Sequence, residues 1–268
     1  MDTFQDKTVL ITGGASGIGK IMTRLMLERH ANLVIWDIHQ KNIDQTVAEF
    51  AHLGKIRGFN VDVSNREQVN ETAKQVQQQV GKVDILINNA GIVVGKYFNE
   101  HTSTDISRTM EINAMAPMYV TLAFINEMIA QNSGHICNIA SSAGILSNPK
   151  MSVYAASKWS LIGWSDSLRL EMIQQGKQVH VTTIMPYYIH TGMFDGVRSK
   201  IPILDPEATA RTIIKAIEKK KKMRTIPGYI YRLIRFSQAV MPIAFFDWLV
   251  GKVFGIYTTM EYFTGRKK

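Results

Sequence analysis

Six short apolar segments recur along the chain: TVLITGG at 8–14, NLVIWD at 32–37, GFNVDV at 58–63, DILINNAG at 84–91, HICNIASS at 135–142 and HVTTIMP at 180–186. Their apolar positions run on rather than alternate, as expected of strands buried on both faces. Between them lie segments of helical period, such as 19–29 and 105–132. Strands alternating with helices predict an α/β fold: a doubly wound parallel sheet of about seven strands with helices on both faces. Beyond residue 195 the alternation lapses. Asp205-Pro206-Glu207 still reads as a helix start, a capping Asp before a first-turn Pro, with Ala210, Ile213, Ile214 and Ile217 at helical spacing. That helix ends in Lys219, Lys220, Lys221 and Lys222, a favourable charge for a helix C-terminus. We therefore divide the chain into a main unit at 1–225 and a basic, aromatic-rich helical extension at 226–268.

With 268 residues, 46% of them hydrophobic, the chain can bury a full core, which excludes a disordered or disulfide-stapled protein. Its one cysteine, Cys137, has strand neighbours and reads as a core position. A lone cysteine fits a reducing compartment, so a cytoplasmic location is expected. The N-terminus carries acidic residues before the first strand, and no cleaved leader is expected there. The net charge of +9 is unevenly placed: residues 1–194 carry 16 Lys+Arg against 16 Asp+Glu, and residues 195–268 carry 15 against 6. No basic stretch of the first part interleaves with aromatics, so no nucleic-acid partner is expected. The seven histidines show no H-x-x-x-H spacing, and no metal site is expected.

The first strand runs into Thr12-Gly13-Gly14-Ala15-Ser16-Gly17-Ile18-Gly19, followed by a helix. Glycines 13, 17 and 19 allow a tight turn and close approach of backbone to a pyrophosphate, while the helix N-terminus supplies oriented N–H groups. Residues 14–20 also match the start of a P-loop. Ile21 stands where a magnesium-binding Ser or Thr would be needed, which argues against nucleotide hydrolysis. Asp37 ends the second strand, 18 residues after Gly19. A carboxylate there accepts from ribose hydroxyls and repels a 2′-phosphate, so NAD is expected over NADP.

Tyr154 and Lys158, four apart on a predicted helix, share one face. A cation beside a phenol favours phenolate, which suits a general acid/base for an alcohol-to-ketone step. Ser141 lies 13 residues earlier, at the end of a strand on the same side of the sheet as the glycine loop. Taken together, T-G-x-x-x-G-I-G, Asp62-Val63, Asn88-Asn89-Ala90-Gly91, Asn113, Ser141 and Tyr154-x-x-x-Lys158 resemble the short-chain dehydrogenase/reductase family over most of residues 5–225. The resemblance implies a Rossmann fold and a homodimer or homotetramer. It implies that Ser141 polarises the substrate oxygen, Tyr154 transfers the proton, Lys158 lowers the phenol pKa and binds the nicotinamide ribose, and Asn113 holds a relay water. Ser142 is the rival for the serine role. Asp62 and Val63 would contact adenine, while Asn89, Ala90 and Gly91 would line the cofactor cleft. After the sixth strand the family's Pro-Gly is replaced by Pro186-Tyr187, which puts the local loop shape in question; Ile189 and Thr191 keep the positions expected near the carboxamide. P-x-x-x-x-T-G-M-F, the WDI end of the second strand and the basic aromatic tail resemble the branch acting on retinol, steroids and other lipid alcohols.

The expected activity is thus NAD-dependent interconversion of an alcohol and a carbonyl on a hydrophobic substrate. No G-x-S-x-G accompanies His190 to suggest a hydrolase. The second reading is a non-catalytic dinucleotide-binding protein docked on a membrane or partner through its tail. In both, residues 219–263 are expected to touch anionic membranes peripherally: the longest uncharged stretch there, 236–246, is too short to span.

Overall fold

All six apolar segments form strands in the computed structural model, which describes residues 3–265: β1 (Thr8–Thr12), β2 (Asn32–Asp37), β3 (Ile56–Asn60), β4 (Ile85–Asn88), β5 (Gly134–Ile139) and β6 (Val179–Pro186). A seventh strand, β7 (Met223–Ile226), follows the lysine run. They pair in parallel in the order β3-β2-β1-β4-β5-β6-β7. Both faces are covered, as the continuous apolar runs require. In β1, Val9 and Ile11 join one core cluster while Leu10 joins the other. The helices α1 (Gly17–Leu27), α2 (Gln40–Phe50), α3 (Arg66–Gln79), α4 (Ser103–Met110), α5 (Ala116–Ala130), α6 (Ser152–Gln174) and α7 (Pro206–Glu218) lie between the strands. On one face α1 and α7 pack through Met22, Leu25, Ala210 and Ile213, and the Arg24–Glu207 and Arg29–Glu218 ion pairs lock their edges at 2.6 and 2.7 Å. On the other face α3, α5 and α6 contribute Val69, Phe124 and Leu168.

Two boundaries differ from the sequence pattern, each for a local reason. The third strand is shifted to 56–60: Asp62 leaves the strand for a turn, accepting from the Ser64 amide at 3.0 Å and its hydroxyl at 2.6 Å. The segment 105–132 is not one regular helix. α4 is capped by Thr102, which accepts from the Asp105 amide at 3.1 Å, and a π-helical turn at Glu111–Met115 separates it from α5. Pro117, in the first turn of α5, has no N–H to give the carbonyl four residues back, which is that of Asn113. The start at Asp205 stands as predicted, its side chain accepting from the Ala208 amide at 2.7 Å. Our division of the chain falls at the end of β7. Two further helices follow, α8 (Ile230–Val240) and α9 (Ile243–Trp248), and residues 266–268 of the extension lie outside the described residues.

A buried imidazole makes this fold acid-sensitive. His135, in β5, bonds the Thr182 hydroxyl at 2.8 Å, and burial, with His180 and Lys220 nearby, holds its pKa down at about 3. Between pH 6.5 and about 3 the unfolded chain binds a proton there that the folded chain refuses, so stability falls as pH falls through that window. The full effect is roughly 5 kcal/mol. Denaturant titrations across the window should show a loss of that order in the wild type and a much smaller one in His135→Gln.

Candidate active site

Strand order reverses between β1 and β4, and there the carboxyl ends of the strands open a crevice. The β1–α1 turn forms one wall. Gly13 and Gly17 have φ of +66° and +52°, a left-handed geometry that glycine adopts without strain. Gly19 allows helix and turn to touch: a Cβ there would collide with the Gly13 carbonyl oxygen. Ser16 caps α1 with extended backbone and no side-chain hydrogen bond, and no acidic residue occupies the first turn. The amides of Ser16 to Gly19 and the positive end of the helix dipole thus face the crevice without a competing anion of the helix's own, an arrangement that fits a pyrophosphate. The β4 loop forms the opposite wall. Thr12 ties the two walls together, its hydroxyl accepting from the Asn89 and Ala90 amides at 3.0 and 3.1 Å while Asn89 Nδ2 donates to the Thr12 carbonyl at 3.0 Å.

Asp37 is buried at the end of β2, accepting from the Ala15 amide at 3.2 Å and the His39 amide at 3.3 Å. It therefore stands directly behind the glycine turn. Asp62, with Val63 buried beside it, follows β3 on the same edge. A dinucleotide would meet these groups in sequence: adenine end at β2 and β3, pyrophosphate at α1, nicotinamide end at the loops after β4, β5 and β6. Pro186 closes β6; Ile189 bridges to Leu204, and the Thr191 amide donates to the Ile189 carbonyl at 2.9 Å. The missing glycine at Tyr187 does not distort this loop, because no residue from 187 to 191 has positive φ and the left-handed step falls on Gly192. Tyr187 and Tyr188 instead pack edge to face, and both line the neighbouring cavity.

Ser141, Tyr154 and Lys158 are brought together where the loop after β5 meets the first turns of α6. All three are buried. Ser141 caps the short turn that follows β5, accepting from the Ala143 amide at 3.1 Å, and its hydroxyl is the one within reach of the Tyr154 phenol; that favours it over Ser142. The Lys158 ammonium donates to the Ile139 carbonyl at 3.0 Å and lies 5.7 Å from the centre of the Tyr154 ring. Burial pushes Tyr154 up to about 12, with Ser141 pulling partly the other way, and burial brings Lys158 down to about 8. In both groups burial is the largest influence. Asn113, in the π-helical turn, is fully buried. Its Oδ1 accepts from the Ile92 amide at 2.9 Å, and its Nδ2 donates to the Ile92 carbonyl at 2.9 Å and the Ser157 hydroxyl at 3.1 Å. The side chain therefore braces the β4 loop against α6. Gly91 passes close by; a Cβ on it would stand 3.2 Å from Asn113 Oδ1 and 3.7 Å from Lys158 Nζ.

Several contributors were not singled out in the sequence. Asn138, a polar residue within an apolar strand, accepts from Asn88 Nδ2 and donates to Ser165, at 2.8 Å each, so β4, β5 and α6 are cross-linked beneath the site. That polar position within an apolar run was the available signal. Ser157 and Thr12 act in the same bracing manner and carried no such signal. Beyond Ser141 opens a cavity of about 280 Å³ with mostly apolar walls, lined by Tyr188, Phe194, Ile230, Ile234, Phe246 and Ile256 among others. Phe194, which lines this cavity, meets the Tyr154 ring edge to face at 6.0 Å.

Comparison with known proteins shows the family. The family model described as short chain dehydrogenase matches residues 7–202. The chain is 36% identical to mouse "Epidermal retinol dehydrogenase 2" over 267 residues, covering 97% of this chain and 86% of the mouse protein. It is 32% identical to mouse "17-beta-hydroxysteroid dehydrogenase 13", covering 84% and 75%. Among solved structures, a short chain dehydrogenase/reductase from Burkholderia phymatum in complex with NAD superposes with a TM-score of 0.82 at 25% identity, covering 89% of this chain and 95% of that one. The chain accordingly belongs to the short chain dehydrogenase family of oxidoreductases, on the branch that holds the retinol and 17-beta-hydroxysteroid dehydrogenases.

Proposed function

We propose that this protein is an NAD(H)-dependent oxidoreductase interconverting an alcohol and a carbonyl on a hydrophobic, steroid-, retinoid- or lipid-like substrate. One observation carries the reading: Ser141, of a buried Ser141–Tyr154–Lys158 cluster, lines an apolar cavity. Bound in the crevice, the nicotinamide ring supplies the hydride acceptor or donor. The protein's residues do the rest. Ser141 donates to the substrate oxygen, and the phenol of Tyr154 gives or takes the proton on that oxygen. Lys158, short of hydrogen-bond partners in a buried setting, holds the ribose and supplies positive charge as phenolate character develops. Asn113 fixes the loop that carries Gly91; its main-chain carbonyl, which Pro117 cannot serve, is the atom we assign to the relay water. The apolar walls exclude bulk water from the reacting carbon.

We assign Gly13, Ser16, Gly17, Ile18 and Gly19 to the pyrophosphate, Asp62 and Val63 to adenine, and Asn89, Ala90, Gly91, Pro186, Ile189 and Thr191 to the nicotinamide half. Asp37 is assigned to the ribose hydroxyls, which favours NAD over NADP. Replacing Asp37 with Ala should reduce the ratio of NAD to NADP affinity by roughly tenfold or more, the magnitude of one charge-assisted hydrogen bond. Fluorescence titration with NADH and NADPH reads it, and an unchanged ratio rejects the ribose contact. The self-association expected of the relationship finds support in exposed Leu122 on α5 and exposed Leu170 and Ile173 on α6.

Nicotinamide absorbance with NAD or NADP and a panel of steroid, retinoid, fatty and short-chain alcohols tests the activity. Turnover that prefers the bulky apolar members is expected. Cofactor binding without turnover on any member would favour the docking protein instead.

A further inference from the structure

The same helix that walls the cavity turns an apolar face to solvent. On α8, Ile230, Ile234 and Ser237 are buried toward the interior. Tyr229, Leu233, Phe236 and Val240, spaced four, three and four apart, form the opposite stripe, and Phe236 is 67% exposed. Ile243, at the start of α9 and 79% exposed, extends it. The stripe is not separate from the cavity. Tyr229 and Leu233 line the cavity and are themselves 61% and 53% exposed, so its mouth opens within the stripe.

A second feature lies alongside. A surface groove of about 550 Å³ is lined by Arg224, Gly228, Tyr229, Tyr231 and Arg232. Neither arginine has a carboxylate within ion-pairing distance among the described residues. Arg235, on the next turn, stacks on Trp159 and Tyr231, and the one acid of residues 226–255, Asp247, accepts from the Tyr257 hydroxyl at 2.6 Å.

We propose that the protein docks on an anionic phospholipid bilayer through the exposed face of α8 and the start of α9, with Arg224 and Arg232 on a lipid phosphate and the substrate entering the cavity from the lipid. Apolar side chains rimmed by unpaired arginines match the boundary between acyl chains and phosphate headgroups. A second copy of the chain matches less well, since an isologous contact would set Arg232 and Arg235 against their own images. The route of entry rests on the oxidoreductase reading; the docking does not.

Flotation of the full chain with phosphatidylcholine vesicles, with and without phosphatidylserine, tests the docking. The wild type should float with the anionic vesicles and much less with the neutral ones, and added salt should weaken it. Phe236→Asp/Ile243→Asp, neither of which lines the cavity, should cut partitioning roughly a hundredfold. Arg224→Ser/Arg232→Ser should cut it about tenfold or more, and both variants should keep the wild-type melting temperature and NADH affinity. Equal flotation of wild type and the Phe236/Ile243 variant overturns the docking. So does a wild type that stays unbound while that variant changes from dimer to monomer, which assigns the face to a second copy; equal flotation on neutral and anionic vesicles overturns the phosphate groove. For the route, the Phe236/Ile243 variant should turn over a long-chain alcohol held in vesicles much more slowly and a water-soluble alcohol at the wild-type rate. Unchanged rates with both overturn entry from the lipid. A wild type inactive on both alcohols but still floating rejects the oxidoreductase reading and the route with it, and leaves the docking standing.

Discussion

Replacing Tyr154 with Phe is expected to lower kcat by about three orders of magnitude, the scale of a positioned general acid/base, with NADH affinity nearly unchanged. The substitution removes one oxygen from a buried ring and leaves its contact with Phe194 in place. Loss of turnover therefore cannot come from a collapsed cavity. The wild-type pH profile sharpens the test. Burial raises the phenol to about 12 and lowers the Lys158 ammonium to about 8. For alcohol oxidation, which needs phenolate, the rate should rise with pH through the alkaline range for as long as Lys158 keeps its proton. In Tyr154→Phe that dependence should vanish together with the rate. A variant retaining a tenth or more of wild-type turnover would reject the proton-transfer role.

The other large effect is expected at a residue with no side chain. In Gly19→Ala the new methyl meets the Gly13 carbonyl oxygen and stands 2.7 Å from Asn89 Nδ2. The oxygen belongs to backbone that the β1–β2 register and the Gly13 amide bond to the Trp36 carbonyl hold in place. Relief must come from moving the turn, at a cost of about 3 kcal/mol, or a melting temperature lower by roughly 10 °C. Dinucleotide affinity should fall with it, because the amides of the same turn are the ones assigned to the pyrophosphate. Gly163→Ala is the control. Gly163 lies within α6, and a Cβ there meets nothing within 4 Å, so the change should stabilise by about 0.5–1 kcal/mol. A Gly19→Ala protein with wild-type melting and NADH affinity would show that the turn is not held as tightly as these contacts require.

Periodicity carried much of this protein. Strands buried on both sides must be apolar throughout, so six of them could be read directly, and parallel pairing followed from the helices between them. β7 was harder: Met-Arg-Thr-Ile is short, half polar and at the sheet edge, where one side needs no apolar cover. The break of 105–132 into two helices was also hidden, since the π-helical turn keeps the apolar positions in phase closely enough to pass as one helix. In the candidate site, Tyr154 and Lys158 were legible because four residues of one helix fix their relation without any tertiary knowledge. Gly13, Gly17 and Gly19 were legible for the same reason.

What the sequence determined by itself is whatever repeats within one element: strand and helix type, the glycine turn, the shared face of Tyr154 and Lys158, and the C-terminal location of the charge excess. The tertiary structure decided what depends on elements far apart in the chain. It put Ser141 rather than Ser142 beside the phenol and set Asn113 on Ile92 and Ser157. It also determines how strongly burial acts on Tyr154. Spacing placed a cation near a phenol, but how far both are removed from water depends on the packing of Phe194, Tyr188 and the C-terminal helices around them, and that desolvation is a property of the whole fold.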